Sequence, residues 1–196
     1  MTLFKKSCIM YMLKDFNIYE AVFLLFGECL MSKSYEIERK FLVEFPDVST
    51  LDVKRRIGIV QTYLKSGQNG SQRRVRSVDE NGSVKYTYTE KIFHTHVTRE
   101  ENEYEISAEE YRTLLGQELR DCPPVKKVRY CFDYHDQLFE LDTYPFSDKL
   151  AIMELELRSP EQKIDFPDNV KVIMEVSDDI RYSNSALAKA GAFPEQ

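Results

Sequence analysis

The sequence predicts a mainly β fold: an antiparallel barrel or sandwich with a few short helices on its outside. Three observations predict it. Short runs of alternating polarity recur along most of the chain, as half-buried strands require. Two of these runs flank Asn81-Gly82, a strong two-residue hairpin signal. Charge is also sorted by strand, in like-signed couples at i and i+2: Glu36/Glu38, Arg74/Arg76, Lys127/Arg129, Glu140/Asp142 and Glu154/Glu156. Wet sheet faces usually mix signs, because like charges opposite one another repel. Couples sorted in this way suit the lining of a closed barrel that grips a polyanion and its metal.

The chain of 196 residues suggests one domain, large enough for a real core or a closed barrel. It is 42% hydrophobic and 31% charged, as soluble globular proteins are. A net charge of −6 argues against a protein that coats nucleic acid. Cys8, Cys29, Cys122 and Cys131 form no CxxC pair, so they signal neither a zinc site nor a disulfide framework. Reduced thiols in a cytoplasmic protein are the plain reading. Residues 1–31 carry two apolar runs interrupted by Lys14, Asp15 and Glu20, short of the roughly 20 apolar residues that span a membrane. They are read as an N-terminal extension, with Met31 an alternative start. A helix packed on the domain is the other reading. Residues 32–196 then form the domain proper.

Each element follows in order. In Tyr35–Val43, strand parity puts Glu36, Glu38 and Lys40 on one face and Ile37, Phe41 and Val43 on the other, with Arg39 among them. Two carboxylates at i and i+2 lie roughly 7 Å apart, close enough for long side chains to converge on one hard cation. Pro46 to Thr50 reads as a turn, and Leu51–Ile57 as a short helix with Lys54, Arg55 and Arg56 on its wet side. Val60–Leu64 is a strand closed by Gly67-Gln68-Asn69-Gly70. Arg73–Val78 and Ser83–Phe93 form the hairpin, with Lys85, Thr87, Thr89 and Lys91 sharing one face of the second strand. Glu101, Glu103 and Glu105 alternate with Asn102, Tyr104 and Ile106. Ser107 caps a helix with Glu109 and Glu110 in its first turn, extending to about Leu119.

The second half repeats the theme. Val125–Tyr134 places Lys127 and Arg129 together, and Asp136-Gln137 is the expected turn. Leu138–Tyr144 and Ile152–Leu157 carry the acidic couples. Ser183-Asn184-Ser185 caps a last short helix, 186–190, ended by Gly191. His94 and His96 straddle Thr95, but parity turns them away from Lys91, so a loop or outer role outweighs metal ligation. Tyr86, Tyr88 and Tyr104 read as packing on the outer face rather than as base-stacking platforms.

For any one stretch, a solvated charged face is the commoner outcome. The ordered set is more specific. Glu36-Ile-Glu38-Arg-Lys40 resembles the ExExK signature of the CYTH, or triphosphate tunnel metalloenzyme, superfamily. The likeness continues through Gln61-Thr-Tyr63-Leu64, Arg74-Val-Arg76, Thr89-Glu-Lys91, Glu103-Tyr-Glu105, Lys127-Val-Arg129-Tyr130, Glu140-Leu-Asp142, Glu154-Leu-Glu156 and Arg181-Tyr182-Ser-Asn184. It covers nearly everything from Tyr35 onward and is similar to the compact bacterial members.

The resemblance implies an eight-stranded antiparallel, closed β-tunnel with helices outside, binding a small-molecule triphosphate with Mg²⁺ or Mn²⁺. Glu36, Glu38, Asp142, Glu154 and Glu156 match the family's metal ligands. Lys40, Arg74, Arg76, Lys91, Lys127 and Arg129 match its phosphate-binding bases. Glu103 and Glu105 match acidic tunnel residues that could orient water, giving Glu38, Glu103 and Glu105 as the catalytic set. Three places depart from the pattern: Glu101 stands where an Arg is usual, with Arg99 a substitute if a bulge shifts the register; Ile180 stands where a Lys is usual; and residues 1–30 match nothing. The expected reaction is metal-assisted hydrolysis of a triphosphate, foremost inorganic tripolyphosphate. Adenylyl cyclase chemistry, thiamine triphosphate hydrolysis and a non-catalytic polyphosphate or nucleotide binding module are the alternatives. No nucleic acid or membrane partner is expected, and a homodimer is compatible with the sequence.

Overall fold

The computed structural model describes residues 37–67, 70–93, 99–159 and 161–195. Expectations for Glu36, for the extension 1–31, for Gln68 and Asn69, and for His94 and His96 lie outside the described residues, as does the side chain of Arg99. Nine strands form one sheet: β1 (Ile37–Glu44), β2 (Val53–Leu64), β3 (Gln72–Glu80), β4 (Ser83–Phe93), β5 (Arg99–Ile106), β6 (Val125–Tyr134), β7 (Gln137–Thr143), β8 (Leu150–Leu157) and β9 (Val172–Glu175). Among the described residues two helices accompany them, α1 (Ala108–Leu115) and α2 (Asn184–Ala190), with single 3-10 turns at Val48–Thr50 and Ile180–Tyr182. No described helix is long and apolar enough to cross a membrane.

The strand order is β5-β4-β3-β2-β6-β7-β8-β1-β9, and every pairing is antiparallel. The mainly β, α+β expectation therefore holds, but the closed eight-stranded barrel does not. There are nine strands, and no described ladder joins β5 to β9. The ninth strand supplies the physical reason. An antiparallel series closes on itself only with an even count, because neighbours must alternate in direction. With β9 added, the two edge strands run the same way. β9 is four residues long and pairs with β1 only over Phe41–Val43.

Two local expectations are also corrected. Leu51–Ile57 is not a helix, because β2 already begins at Val53. Val53 and Ile57 are β-branched and Gly58 follows directly, which disfavours a helix, and the segment pairs with β6, with β3 joining from Ile57. The basic run then gains a role: Arg55 grips Glu80 of β3 through Nε–Oε1 at 2.6 Å and Nη2–Oε2 at 2.8 Å. The turn between β6 and β7 falls on His135 and Asp136, both at positive φ (47° and 58°), one residue earlier than expected. The hairpin at Asn81 (φ 55°) and Gly82 (φ 82°) stands as read. So do the Ser107 cap of α1 and the Gly191 terminus of α2, although α1 ends at Leu115 rather than near Leu119.

Pairing residues share a face, so the register sorts the whole sheet. One face carries Phe41, Val43, Phe139, Leu141, Met153 and Leu155, covered by the segment bearing Ile164 and Phe166. On the same face Leu64, Val75, Tyr88 and Ile106 lie under α1, with Tyr86 and Tyr111 rings 4.6 Å apart. Tyr88 meets Tyr104 at 5.3 Å, although Tyr104 itself stays exposed. Arg39 tolerates this apolar side by lying over the Phe41 ring and pairing with Glu175. The opposite face carries the charged couples. One end of it is packed by Leu42, Val125, Ile152, Tyr144, Tyr182 and Leu187, the last from α2.

Candidate active site

Every described couple from the sequence lies on that second face. The register places Glu38 opposite Glu156 and Lys40 opposite Glu154. Glu154 in turn lies opposite Glu140, and Asp142 opposite Arg129. On the other half, Arg76 lies opposite both Gln61 and Thr87, Arg74 opposite Thr89, and Thr87 and Thr89 opposite Glu105 and Glu103. Strand alternation alone thus delivers residues from eight strands to one surface.

The two halves differ electrostatically. Across β1, β6, β7 and β8 the charges form a continuous ion-pair set. Lys40 Nζ lies 2.7 Å from Glu154 Oε1 and 3.0 Å from Glu38 Oε1. Arg129 donates to both oxygens of Asp142, each at 2.7 Å, and to Glu154 Oε2 at 2.6 Å. It also pairs with Glu140, and Lys127 pairs with Asp142. Asp142 is fully buried. Burial works against charge at Glu154, but Lys127, Lys40 and Arg129 outweigh it and hold the carboxyl down at about 2. Burial likewise opposes the charge of Lys40, and Glu154 and Glu38 override it and raise the ammonium's pKa. Arg129 is raised for the same reason, by Asp142, Glu154 and Glu140 against burial.

Across β2 to β5 the bases are under-compensated. Arg74 Nη2 reaches Glu101 and Glu103 only at 3.5 Å. Arg76 Nη2 meets a neutral partner, Gln61 Oε1, at 3.1 Å. Burial and the neighbouring Arg74 lower the Arg76 pKa. Lys91 pairs with Glu101 at 2.9 Å, so the acid that replaces the family's usual Arg at 101 faces the same surface and neutralises a base there. Glu103 accepts from Thr89 Oγ1 at 2.7 Å. Burial opposes its charge, but Thr89, Arg76 and Arg74 keep its pKa low, so it is a carboxylate at neutral pH. Four buried side-chain atoms have no hydrogen-bond partner among the described residues: Gln61 Nε2, Arg74 Nε, Arg76 Nε and Thr87 Oγ1. All four belong to this half of this face.

Lys40, Arg74, Arg76, Lys91, Lys127, Arg129, Glu38, Glu103, Glu105, Asp142, Glu154 and Glu156 thus share one face, as strand parity requires. Glu140, Gln61, Thr87 and Thr89 join them, residues the sequence puts in the same runs and motifs but to which it assigns no site role. Glu105 and Glu156 are exposed on that face. Among the described residues no three acids converge into a preformed ion site, because Lys40, Lys127 and Arg129 occupy the space between them. The donor set nonetheless fits a hard divalent cation by chemistry, since it consists entirely of carboxylate oxygens.

Residues 34–186 match the CYTH domain. Two solved structures are similar over most of this chain. One, described as the inorganic triphosphatase NE1496, is 30% identical, with a TM-score of 0.53 over 79% of this chain and 94% of that one. The other, described as the hypothetical protein NE1496, is 32% identical, with a TM-score of 0.54 over 79% and 97%. A search of curated proteins gives no match.

Proposed function

Given that the chain belongs to the CYTH domain family, we propose that it hydrolyses a triphosphate, foremost inorganic tripolyphosphate, on the charged face described above. The observation that carries this reading is the set of unpartnered buried donors around Arg74 and Arg76. A buried donor without an acceptor is costly, and guanidinium groups match phosphate oxygens in geometry and charge. An anion with many acceptor oxygens satisfies all of them at once. The likeness to a protein described as an inorganic triphosphatase, at 30% identity across 94% of its length, supports the same substrate class.

In this reading Arg74, Arg76 and Lys91 hold one end of the phosphate chain, and Lys40, Lys127 and Arg129 hold the other. Mg²⁺ or Mn²⁺ would be held by Glu38, Asp142, Glu154 and Glu156, with Glu36 completing the expected set. When bound, the ion supplies Lewis-acid polarisation of the reacting phosphoryl group. The bases neutralise the substrate and keep it in line for attack, which is most of what phosphoryl transfer requires of a protein. Glu103, ionised and fixed by Thr89, accepts a hydrogen bond from the attacking water, and Glu105 beside Thr87 is the second acid placed for that role. The product pattern tests the proposal. With Mg²⁺ or Mn²⁺, purified protein should release orthophosphate from tripolyphosphate. Cyclic AMP with pyrophosphate from ATP, thiamine diphosphate from its triphosphate, or tight binding with no turnover would each replace it with a different reading.

A further inference from the structure

Gln61, Arg76, Thr87 and Glu105 form one row across β2, β3, β4 and β5 on the charged face. Arg76 can only donate, so the atom it meets at 3.1 Å must be the amide oxygen of Gln61. That contact fixes the amide and leaves Nε2 as a committed donor. Gln61 is only 2% exposed, yet Nε2 has no partner, and neither has Thr87 Oγ1 on the far side of Arg76. The Tyr63 phenol is near enough to feel the Gln61 amide, though burial dominates and raises its pKa. Gln61 Nε2 makes no hydrogen bond of normal geometry to it. A buried amide donor and a hydroxyl therefore flank one guanidinium, and Gln61 Nε2, Thr87 Oγ1 and Arg76 Nε all lack an acceptor.

Resting on the triphosphate reading above, we infer that Gln61 and Thr87 are substrate-binding residues, neutral donors that take phosphoryl oxygens on either side of Arg76. Neutral groups suit this place. Arg74 already lies beside Arg76 and disfavours its charge, and a third cation would add repulsion before the substrate arrives. An amide and a hydroxyl add hydrogen bonds without that penalty. They also position the phosphoryl group, because their donors are held by the β ladder rather than by a long flexible stem.

The test compares four full-length variants with the wild type on tripolyphosphate and Mg²⁺. Q61E keeps an oxygen toward Arg76 but removes the Nε2 donor. Q61M removes both. T87V removes the hydroxyl, and T87S keeps it. The inference expects KM to rise about tenfold in T87V, Q61M and Q61E, as loss of a hydrogen bond to a charged group does. T87S should stay within about twofold of wild type. Unfolding midpoints without substrate should move by no more than about 2 °C in T87V and T87S, whose hydroxyl has no partner to lose. If Gln61 merely braces Arg76, Q61E braces it better and KM holds, which overturns the inference for that residue. Unchanged KM in T87V overturns it for Thr87, as does a fall in kcat alone that tracks lost folded protein. A wild type that neither binds nor cleaves tripolyphosphate would bring down the functional reading and the inference together, a result distinct from an active wild type with indifferent variants.

Discussion

Arg129 of β6 and Asp142 of β7 face each other in register and join through two hydrogen bonds of 2.7 Å, with the carboxylate wholly out of solvent. Asp142 also takes Lys127, and Arg129 reaches on to Glu140 and Glu154. Three charged strands, β6, β7 and β8, are tied at this point, so the pair contributes to both the stability and the charge pattern of the site.

Removing Arg129 takes one of two cations from Asp142 and leaves Lys127. Arg129→Ala should destabilise the fold by about 3 kcal/mol, the low end of the cost of breaking a buried ion pair. Arg129→Lys should recover only part of this, because an ammonium cannot form the two-armed contact. Urea unfolding of the three proteins measures it, and equal midpoints for wild type and Arg129→Ala would contradict the assignment.

The pH dependence follows from Glu154. Its folded pKa is depressed to about 2 from an ordinary value of 4.5. A depressed acid stabilises the fold above the unfolded pKa, and that stability is lost as pH falls through the folded one. Stability should therefore decline between about pH 4.5 and 2, by an amount on the order of 3 kcal/mol from this group alone. Glu154→Gln should flatten that window in acid titrations followed by circular dichroism.

Catalysis should depend on both halves of the face. Glu38→Ala and Arg76→Ala should each lower tripolyphosphate turnover by about 100-fold or more, the scale seen when a preorganised charge is removed from a transition state. Robust turnover by both, with native circular dichroism, would remove the site assignment.

Chelation should stop phosphate release, and Mg²⁺ or Mn²⁺ should restore it, without unfolding the protein. The acids are already satisfied by Lys40, Lys127 and Arg129, so the sheet does not need an ion to hold it together. Loss of the native spectrum on adding chelator would show the opposite.

Ser107 tests the sheet's cover. Its hydroxyl and the Glu110 carboxylate cap α1 reciprocally, and α1 covers Tyr86 and Leu64. Ser107→Ala should cost about 1 kcal/mol in thermal or urea unfolding while leaving turnover intact.

By itself the sequence determined which residues share a face. Side chains alternate strictly along a strand, so Lys127 with Arg129, Glu154 with Glu156 and Arg74 with Arg76 could be grouped before any pairing was known. The hairpin at Asn81-Gly82 and the cap at Ser107 were legible for the same reason, since both depend on neighbours in the chain. Only the tertiary structure decided what depends on contacts distant in sequence. Val53–Ile57 is strand because β6 pairs along it, with β3 joining at Ile57. The four residues of β9 find an edge on β1, 129 or more residues away in the chain, and by making the count odd they exclude an all-antiparallel closure onto β5. Glu140 and Gln61 gain their roles from Arg129 and Arg76, which reach them across ladders whose register no local pattern encodes.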